Sequence, residues 1–248
     1  MIQKHIEIVK APDSEKPFAI IYKPAGLPSA PLTSDDKENA FCQAAQLFPE
    51  LLQVHGRKEI EHGLLHRLDT ATSGLMIIAV SQECYDFLMQ EQKEGRIIKT
   101  YFAECNMTTP ECETAVSEYT AGQEYTVSSY FRPFGPGRKE VRPVTQNSGK
   151  AALNKLEKPV LYTTKIKILE FDRQKNLAKV ECKITNGYRH QVRCHLAWYG
   201  LPVINDIVYN QLSKNKKSTE QMHFCACNIQ FEYPRGDLNS YDRKDTWT

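Results

Sequence analysis

Apolar and polar positions along this chain fall into short runs that predict strands more often than helices. Phe18 to Tyr22 is a continuous apolar run closed by Lys23-Pro24-Ala25-Gly26, a strand ending in a turn. Ser34 offers an N-cap, and Asp35 and Asp36 suit the positive end of a helix dipole. Phe41, Ala44, Ala45 and Phe48 follow at i, i+3, i+4 and i+7 before Pro49, which predicts one amphipathic helix. Leu75 to Val80 reads as a buried strand. Ser81 to Glu94 reads as a helix with Cys84, Phe87 and Leu88 inward and Gly95 just past its end. Ile97 to Ala103 returns to the strand pattern, with Lys99, Tyr101 and Ala103 on one face and Ile98, Thr100 and Phe102 on the other.

From Gly122 to about Leu161 glycine, proline and basic residues dominate, which predicts long loops containing one short strand. Alternation resumes at Thr163 to Phe171 and at Leu177 to Ile184, joined as a hairpin through Arg173 to Asn176. His190 to Tyr199 then has Val192, Leu196 and Tyr199 at helical spacing, ahead of Gly200 and Pro202. There is no internal repeat, and the tail beyond Pro234 is polar and reads as loosely held.

Composition narrows the class. Of 248 residues, 41% are hydrophobic and 25% charged, enough apolar side chains for a packed core and too many for a disordered chain. The net charge of +2 excludes a polycation but not a local basic surface. No run approaches the ~18 apolar residues of a membrane helix, and the charged start has no apolar stretch of a secretory signal. The eight cysteines are scattered without a C-x-x-C pair, which fits free thiols in a reducing cytoplasm; Cys225 and Cys227 read as small buried hydrophobes.

Three segments carry candidate chemistry. In His62 to Leu75 polar residues crowd a turn feeding a buried strand, and Arg67, Thr70 and Thr72 can orient the Asp69 carboxylate. An Asx-turn, with the aspartate capping its own backbone, is the plainer account of that turn. In Gly187 to His195 the side chains of Arg189, His190, Gln191, Arg193 and His195 are too polar for a plain buried helix. They form either a solvated basic face or a polar cleft in which Arg193 pairs with a buried carboxylate. Lys99-Thr100-Tyr101 projects a tyrosine hydroxyl from a strand, where a core role is the commoner one.

Taken in order, these segments resemble the RluA-type RNA pseudouridine synthases. His66-Arg67-Leu68-Asp69 followed by Thr72-Ser73-Gly74 matches that family's most specific motif. Lys23 to Leu27, Lys99-x-Tyr101, His190-Gln191-Val192-Arg193-x-His195, Gly200-x-Pro202 with Asp206-x-x-Tyr209, and His223 to Pro234 resemble its other elements. The resemblance runs from about Phe18 to Pro234. Three departures stand out: the usual Gly-Arg-Thr-His-Gln is Gly187-Tyr188-Arg189-His190-Gln191, Asn205 replaces a glycine, and an insertion separates Gly149-Lys150-Ala151 from the next strand.

The resemblance implies an α+β catalytic fold, a bent, mostly antiparallel mixed sheet with flanking helices and loops around a central cleft. It implies an extension over 1–17, a catalytic domain over 18–234 and a polar tail over 235–248, with no S4-type RNA-binding domain. The implied enzyme is a cytoplasmic, monomeric isomerase of uridines in rRNA or tRNA that needs no cofactor and no metal. Asp69 is its catalytic carboxylate, attacking sugar or base or removing a sugar proton. Arg193 would keep Asp69 charged, and Tyr101 would pack on the uracil and help remove the C5 proton. Arg67, His66, Lys99, His190, Gln191 and Arg189 would contact RNA, Arg67 filling the space left by a flipped uridine. Arg132, Arg138, Lys139, Arg142, Lys150, Lys155 and Lys158 suit either a phosphate-binding surface or a solvated loop, while Lys214, Lys216 and Lys217 read as a solvated face. Two other classes compete: a non-catalytic RNA-binding or RNA-folding factor, and a metal hydrolase using His62, His66, His190 or His195.

Overall fold

The computed structural model describes residues 5–116, 118–156, 160–214, 220–234 and 236–243. Lys158, Lys216 and Lys217 lie outside the described residues. In chain order the elements are β1 (Glu7–Lys10), β2 (Phe18–Lys23), α1 (Ala40–Leu47), β3 (Ser73–Ala79), α2 (Gln82–Lys93), β4 (Ile98–Asn106) and β5 (Glu124–Phe134). They continue with β6 (Glu140–Val144), the single-turn α3 (Lys150–Leu153), β7 (Tyr162–Asp172), β8 (Leu177–Ile184), α4 (Gln191–Trp198), β9 (Phe224–Glu232) and β10 (Leu238–Asp242). The chain divides into two compact units, Met1–Lys99 with Cys225–Thr248, and Thr100–Phe224. The class is α+β, with mostly antiparallel pairings, one parallel pairing and few helices.

In the first unit β2 and β3 run antiparallel, Phe18 opposite Ala79 and Lys23 opposite Gly74. Every residue of both strands is buried, as continuous apolar runs require. The start of β3 pairs in parallel with β9, Ser73 opposite Cys225 and Gly74 opposite Ala226. Gly74 has φ +138°, and a Cβ there would stand 2.5 Å from the Ala226 amide nitrogen and carbonyl oxygen, so this position of the Thr-Ser-Gly sequence admits only glycine.

The ends of the described chain differ from expectation. Residues 7–10 pair with β2, and β10 pairs antiparallel with the second half of β9, so the described part of the tail, 236–243, is not loosely held. Aromatic packing explains it: Phe18 meets Phe231, Tyr233 and Tyr241 edge-on at 5.2, 5.4 and 6.2 Å. The helix α1 also begins later than Ser34. Asn39 caps it, its side-chain oxygen accepting the Cys42 N–H at 2.9 Å, while Asp36 is occupied by the Leu32 N–H in a turn of its own. For α2 the expected boundaries hold, with Ser81 as N-cap and Gly95 at φ +72°.

The second unit has the strand order β4-β8-β7-β5-β6. The β7–β8 hairpin is the one the alternation predicts, closing from Lys165 opposite Lys183 to Asp172 opposite Leu177. The expected loops over 122–161 are instead largely sheet. Glu124 to Ser129 pair with β7, and Tyr130 to Phe134 continue as a two-stranded ribbon with β6. Pro133 and Pro143 suppress the strand pattern in sequence, yet both sit in this ribbon at the sheet edge, where a missing N–H is tolerated. Val127, Ser129 and Phe131 alternate inward from β5, and α4 packs against β6 and β7. All eight cysteines are free thiols, seven of them buried.

Candidate active site

Asp69 lies half-buried on the loop that leads into β3. The loop first runs back along β3, Leu65 N–H reaching Ile77 O at 3.2 Å and Ala79 N–H reaching Gly63 O at 2.9 Å. His66 continues this strapping: its Nε2 accepts the Ile77 N–H at 3.3 Å, and burial pushes its pKa well below the usual imidazole value. Around Asp69 these braces grip main chain. Ser29 Oγ donates to Leu68 O at 2.7 Å and accepts the Leu68 N–H at 3.0 Å. Gly26 N–H donates to Thr70 O at 2.7 Å, and Thr72 N–H to Asp69 O at 2.9 Å.

Lys23 is the centre of this bracing. It is 0% exposed, and its Nζ donates to Leu27 O at 2.7 Å, Pro24 O at 2.9 Å and Thr70 O at 3.3 Å. Three carbonyls thereby fix the 24–27 turn and the Asp69 loop to each other. Burial pushes the Lys23 pKa down to about 7, against the nearby Asp69 charge, which favours the ammonium. The folded chain therefore releases this proton near pH 7 and the unfolded chain near 10.5, so Lys23 makes stability rise with pH between those values. In denaturant titrations the stability of wild type relative to Lys23→Met is expected to grow from pH 7 upward. A pH-independent difference contradicts a buried, titrating Lys23.

Two further sequence-derived residues belong to this unit. Arg67 is exposed, and its Nη1 donates to Glu61 Oε1 at 3.1 Å, so the guanidinium is presented to solvent beside Asp69 in sequence. Lys99 is buried instead, its Nζ on Gln92 Oε1 at 3.3 Å. Burial, reinforced by the Arg57 charge, pushes its pKa down to about 8. Gln92 in turn reaches Leu65 O at 3.4 Å, so Lys99 backs the strapped loop together with His66.

The other predicted residues lie in the second unit. Tyr101 on β4 is buried and stacks on Phe224, rings 5.2 Å apart and 10° from parallel. Arg193 on α4 is 4% exposed and pairs with a buried carboxylate, as the polar-cleft reading anticipated. That carboxylate is Asp206, 1% exposed, which accepts Nε and Nη2 in two 2.8 Å bonds. Asp206 Oδ1 also accepts the N–H groups of Val208 and Tyr209, and the Tyr209 ring lies 5.4 Å from the guanidinium. The plane of Arg193 is thus set by a carboxylate and an aromatic ring.

The start of α4 is built from the same polar run. His190 adopts φ +57°, and its Nδ1 bonds the Tyr209 hydroxyl at 3.0 Å. Gln191 is buried, accepting the Tyr188 N–H and donating to Thr163 O and Thr164 Oγ1. Both ring nitrogens of His195 are taken, by Ser129 Oγ at 2.9 Å and Thr164 Oγ1 at 2.8 Å, and burial holds its pKa near 3. Arg189 is exposed and turns to the carbonyls of Arg138 and Glu140. Asn205 stands at φ +62°, a left-handed conformation that suits the glycine expected there from the resemblance. Its amide donates to Gln221 O at 3.1 Å, and asparagine keeps the turn that presents Asp206.

Two residues of consequence were absent from the sequence-derived site. Lys23 and Asp206 both sit within recognised motif segments, but only the fold shows that one braces the Asp69 loop and the other orients Arg193. Among the described residues no three His, Cys, Asp or Glu side chains group so as to hold a metal ion. Of the histidines offered for a metal hydrolase, His62 stacks on Phe41 at 5.7 Å and His195 is enclosed by hydroxyls.

Comparison with known proteins identifies the family. Residues 17–198 match the family model described as RNA pseudouridylate synthase. The chain is 28% identical over 227 residues to the tRNA pseudouridine(31) synthase of Saccharomyces cerevisiae, covering 89% of this chain and 49% of that protein. It is 26% identical over 193 residues to the ribosomal large subunit pseudouridine synthase D of Neisseria meningitidis serogroup B, covering 77% and 43%. The chain spans about half the length of the curated relatives it matches. Among solved structures, human RNA pseudouridylate synthase domain containing 1 shares the fold, with a TM-score of 0.67 at 19% identity over 99% of this chain and 85% of that one. The family match covers most of the chain, and the chain belongs to the RNA pseudouridylate synthase family.

Proposed function

We propose that this chain isomerises uridines in RNA to pseudouridine, with Asp69 as the acting carboxylate. The N1–C1′ bond breaks, the uracil turns, and C5 joins C1′; the C5 proton leaves and N1 gains one, so the change is redox-neutral and needs no donor group. The observation that carries this reading is the bracing of the Asp69 loop through backbone atoms of Leu68, Asp69 and Thr70 by Ser29, Thr72, Gly26 and Lys23. Such bracing fixes the loop that carries the carboxylate, which is what a preorganised reacting group requires.

Tyr101 keeps the role the resemblance gives it, its ring held against Phe224, while the guanidinium of Arg193 is fixed by Asp206. Exposed Arg67 supports a contact made when the target nucleotide leaves its stack, a step costing a few kcal/mol that protein–RNA contacts offset. The bonding of His66 and Lys99 supports an indirect role behind the loop.

The substrate in this proposal is transfer or ribosomal RNA, in keeping with the names of the two relatives. The catalytic region is 18–234, and the protein acts as a cytoplasmic monomer; its eight free thiols support a reducing compartment. The test is carbodiimide labelling and primer extension on unmodified tRNA and rRNA transcripts after incubation with the chain. A discrete new stop is expected in one pool. Unchanged profiles in both, from protein that binds those RNAs, would favour the binding-factor reading.

A further inference from the structure

The ribbon of β5 and β6 has two unlike faces. Phe131 and Val141 point inward, each 1% exposed, and pack with Cys194 against Tyr162, Tyr188 and Tyr209. The alternate positions Arg132, Phe134, Glu140 and Arg142 share the other face. There Arg132 and Arg142 stand directly opposite each other in the register. Both guanidiniums lie over the Phe134 ring, Arg142 at 3.5 Å and Arg132 at 5.0 Å from its centre. Like charges facing each other across strands destabilise a ribbon. Among the described residues neither arginine forms an ion pair with a carboxylate.

The ribbon is also held rigidly. Val141 N–H bonds the Tyr209 hydroxyl at 2.9 Å, and Cys194 Sγ donates to Val141 O at 3.4 Å. At the tip, Arg189 Nη2 donates to the carbonyls of Arg138 and Glu140. The arginine that is displaced by one position in the Gly-Tyr-Arg-His-Gln run is therefore a clamp on this tip. The tip itself exposes Arg138 and Lys139, so the ribbon and its clamp carry five cations against the single acid Glu140.

A fixed pair of like charges with no acid between them is completed by an anion. Guanidiniums held over an aromatic ring leave N–H groups for bidentate phosphate contacts. Five paired positions span about 14 Å, a row longer than one phosphate and suited to successive phosphates of a strand. We propose that the Arg132–Phe134–Arg142 face binds the phosphodiester backbone of the RNA, with Arg189 setting its pose. The inference rests on the RNA-directed function above and adds where the backbone is gripped.

The test is fluorescence-anisotropy titration of an unmodified tRNA transcript and an rRNA stem-loop, for wild type and Arg132→Gln/Arg142→Gln, between 50 and 200 mM salt (about the range in which counterion release is read). The variant is expected to bind about tenfold more weakly, and its log Kd against log salt slope to be shallower by about 1.4–1.8, the loss of two phosphate contacts. Arg132→Lys/Arg142→Lys should keep most of the slope. Melting temperature should stay level or rise, because a repulsive pair is removed; a fall would show that the arginines serve the fold and overturn the proposal. Inorganic phosphate should displace RNA no better than chloride at equal ionic strength; specific displacement would assign the face to free anions. Because the readout is binding, the isomerase reading can fail while this one stands. Equal affinities and equal slopes for wild type and the glutamine variant overturn it even if pseudouridine is made.

Discussion

Asp206→Ala is expected to lower the unfolding free energy by about 3–5 kcal/mol, the cost of removing one partner from a buried ion pair. Arg193 has Nε and Nη2 committed to the two Asp206 oxygens, and both side chains are almost fully enclosed. Without Asp206 a buried guanidinium loses two charge-assisted bonds, and the turn at Val208 and Tyr209 loses its acceptor. For a chain of this size each kcal/mol moves the melting temperature by about 2–4 °C, so a fall of about 10 °C is expected in a thermal scan. Replacing the pair together, Arg193→Met with Asp206→Leu, should recover much of that loss, since no charge is then left buried. The double variant should nevertheless be inactive, which separates the contribution of Arg193 to the fold from its part in the reaction. A single variant that melts with wild type contradicts the buried pair.

How far the sequence could be read depended on whether each feature was local. The apolar runs of β2 and β3, the cap and terminal glycine of α2, and the alternation of β7 and β8 were legible because neighbours in sequence decide them. The β5–β6 ribbon was not, since its prolines and arginines read as loop while its pairing partner lies across a turn. The outer strand β10 was missed because distant aromatics hold it, and β1 because its pairing with β2 decides it. At α1 the expected Ser34 cap gave way to Asn39, whose side chain accepts the Cys42 N–H while Asp36 serves a turn of its own.

The site divides in the same way. Asp69, Tyr101 and Arg193 were named from motifs, but a lysine ending a strand gives no hint that it grips three carbonyls. Asp206 is thirteen residues from Arg193, and the turn that presents it depends on the left-handed Asn205. Lys99 and His66 were expected to contact RNA because they stand in motifs of the family they resemble, whereas their bonding places both among the loop's supports.

Asp69→Asn tests the central claim most directly. The substitution keeps the shape of the side chain and leaves the backbone braces of the loop in place, so the variant should fold. An amide neither attacks nor accepts a proton as a carboxylate does, so the rate should fall by at least about 10³-fold. The measurement is tritium release from [5-³H]uridine-labelled tRNA and rRNA transcripts, run with wild type and Asp69→Asn side by side. Release by wild type in one pool, and none above background by the variant, is the predicted result. Release at equal rates by both proteins would contradict the assignment of Asp69.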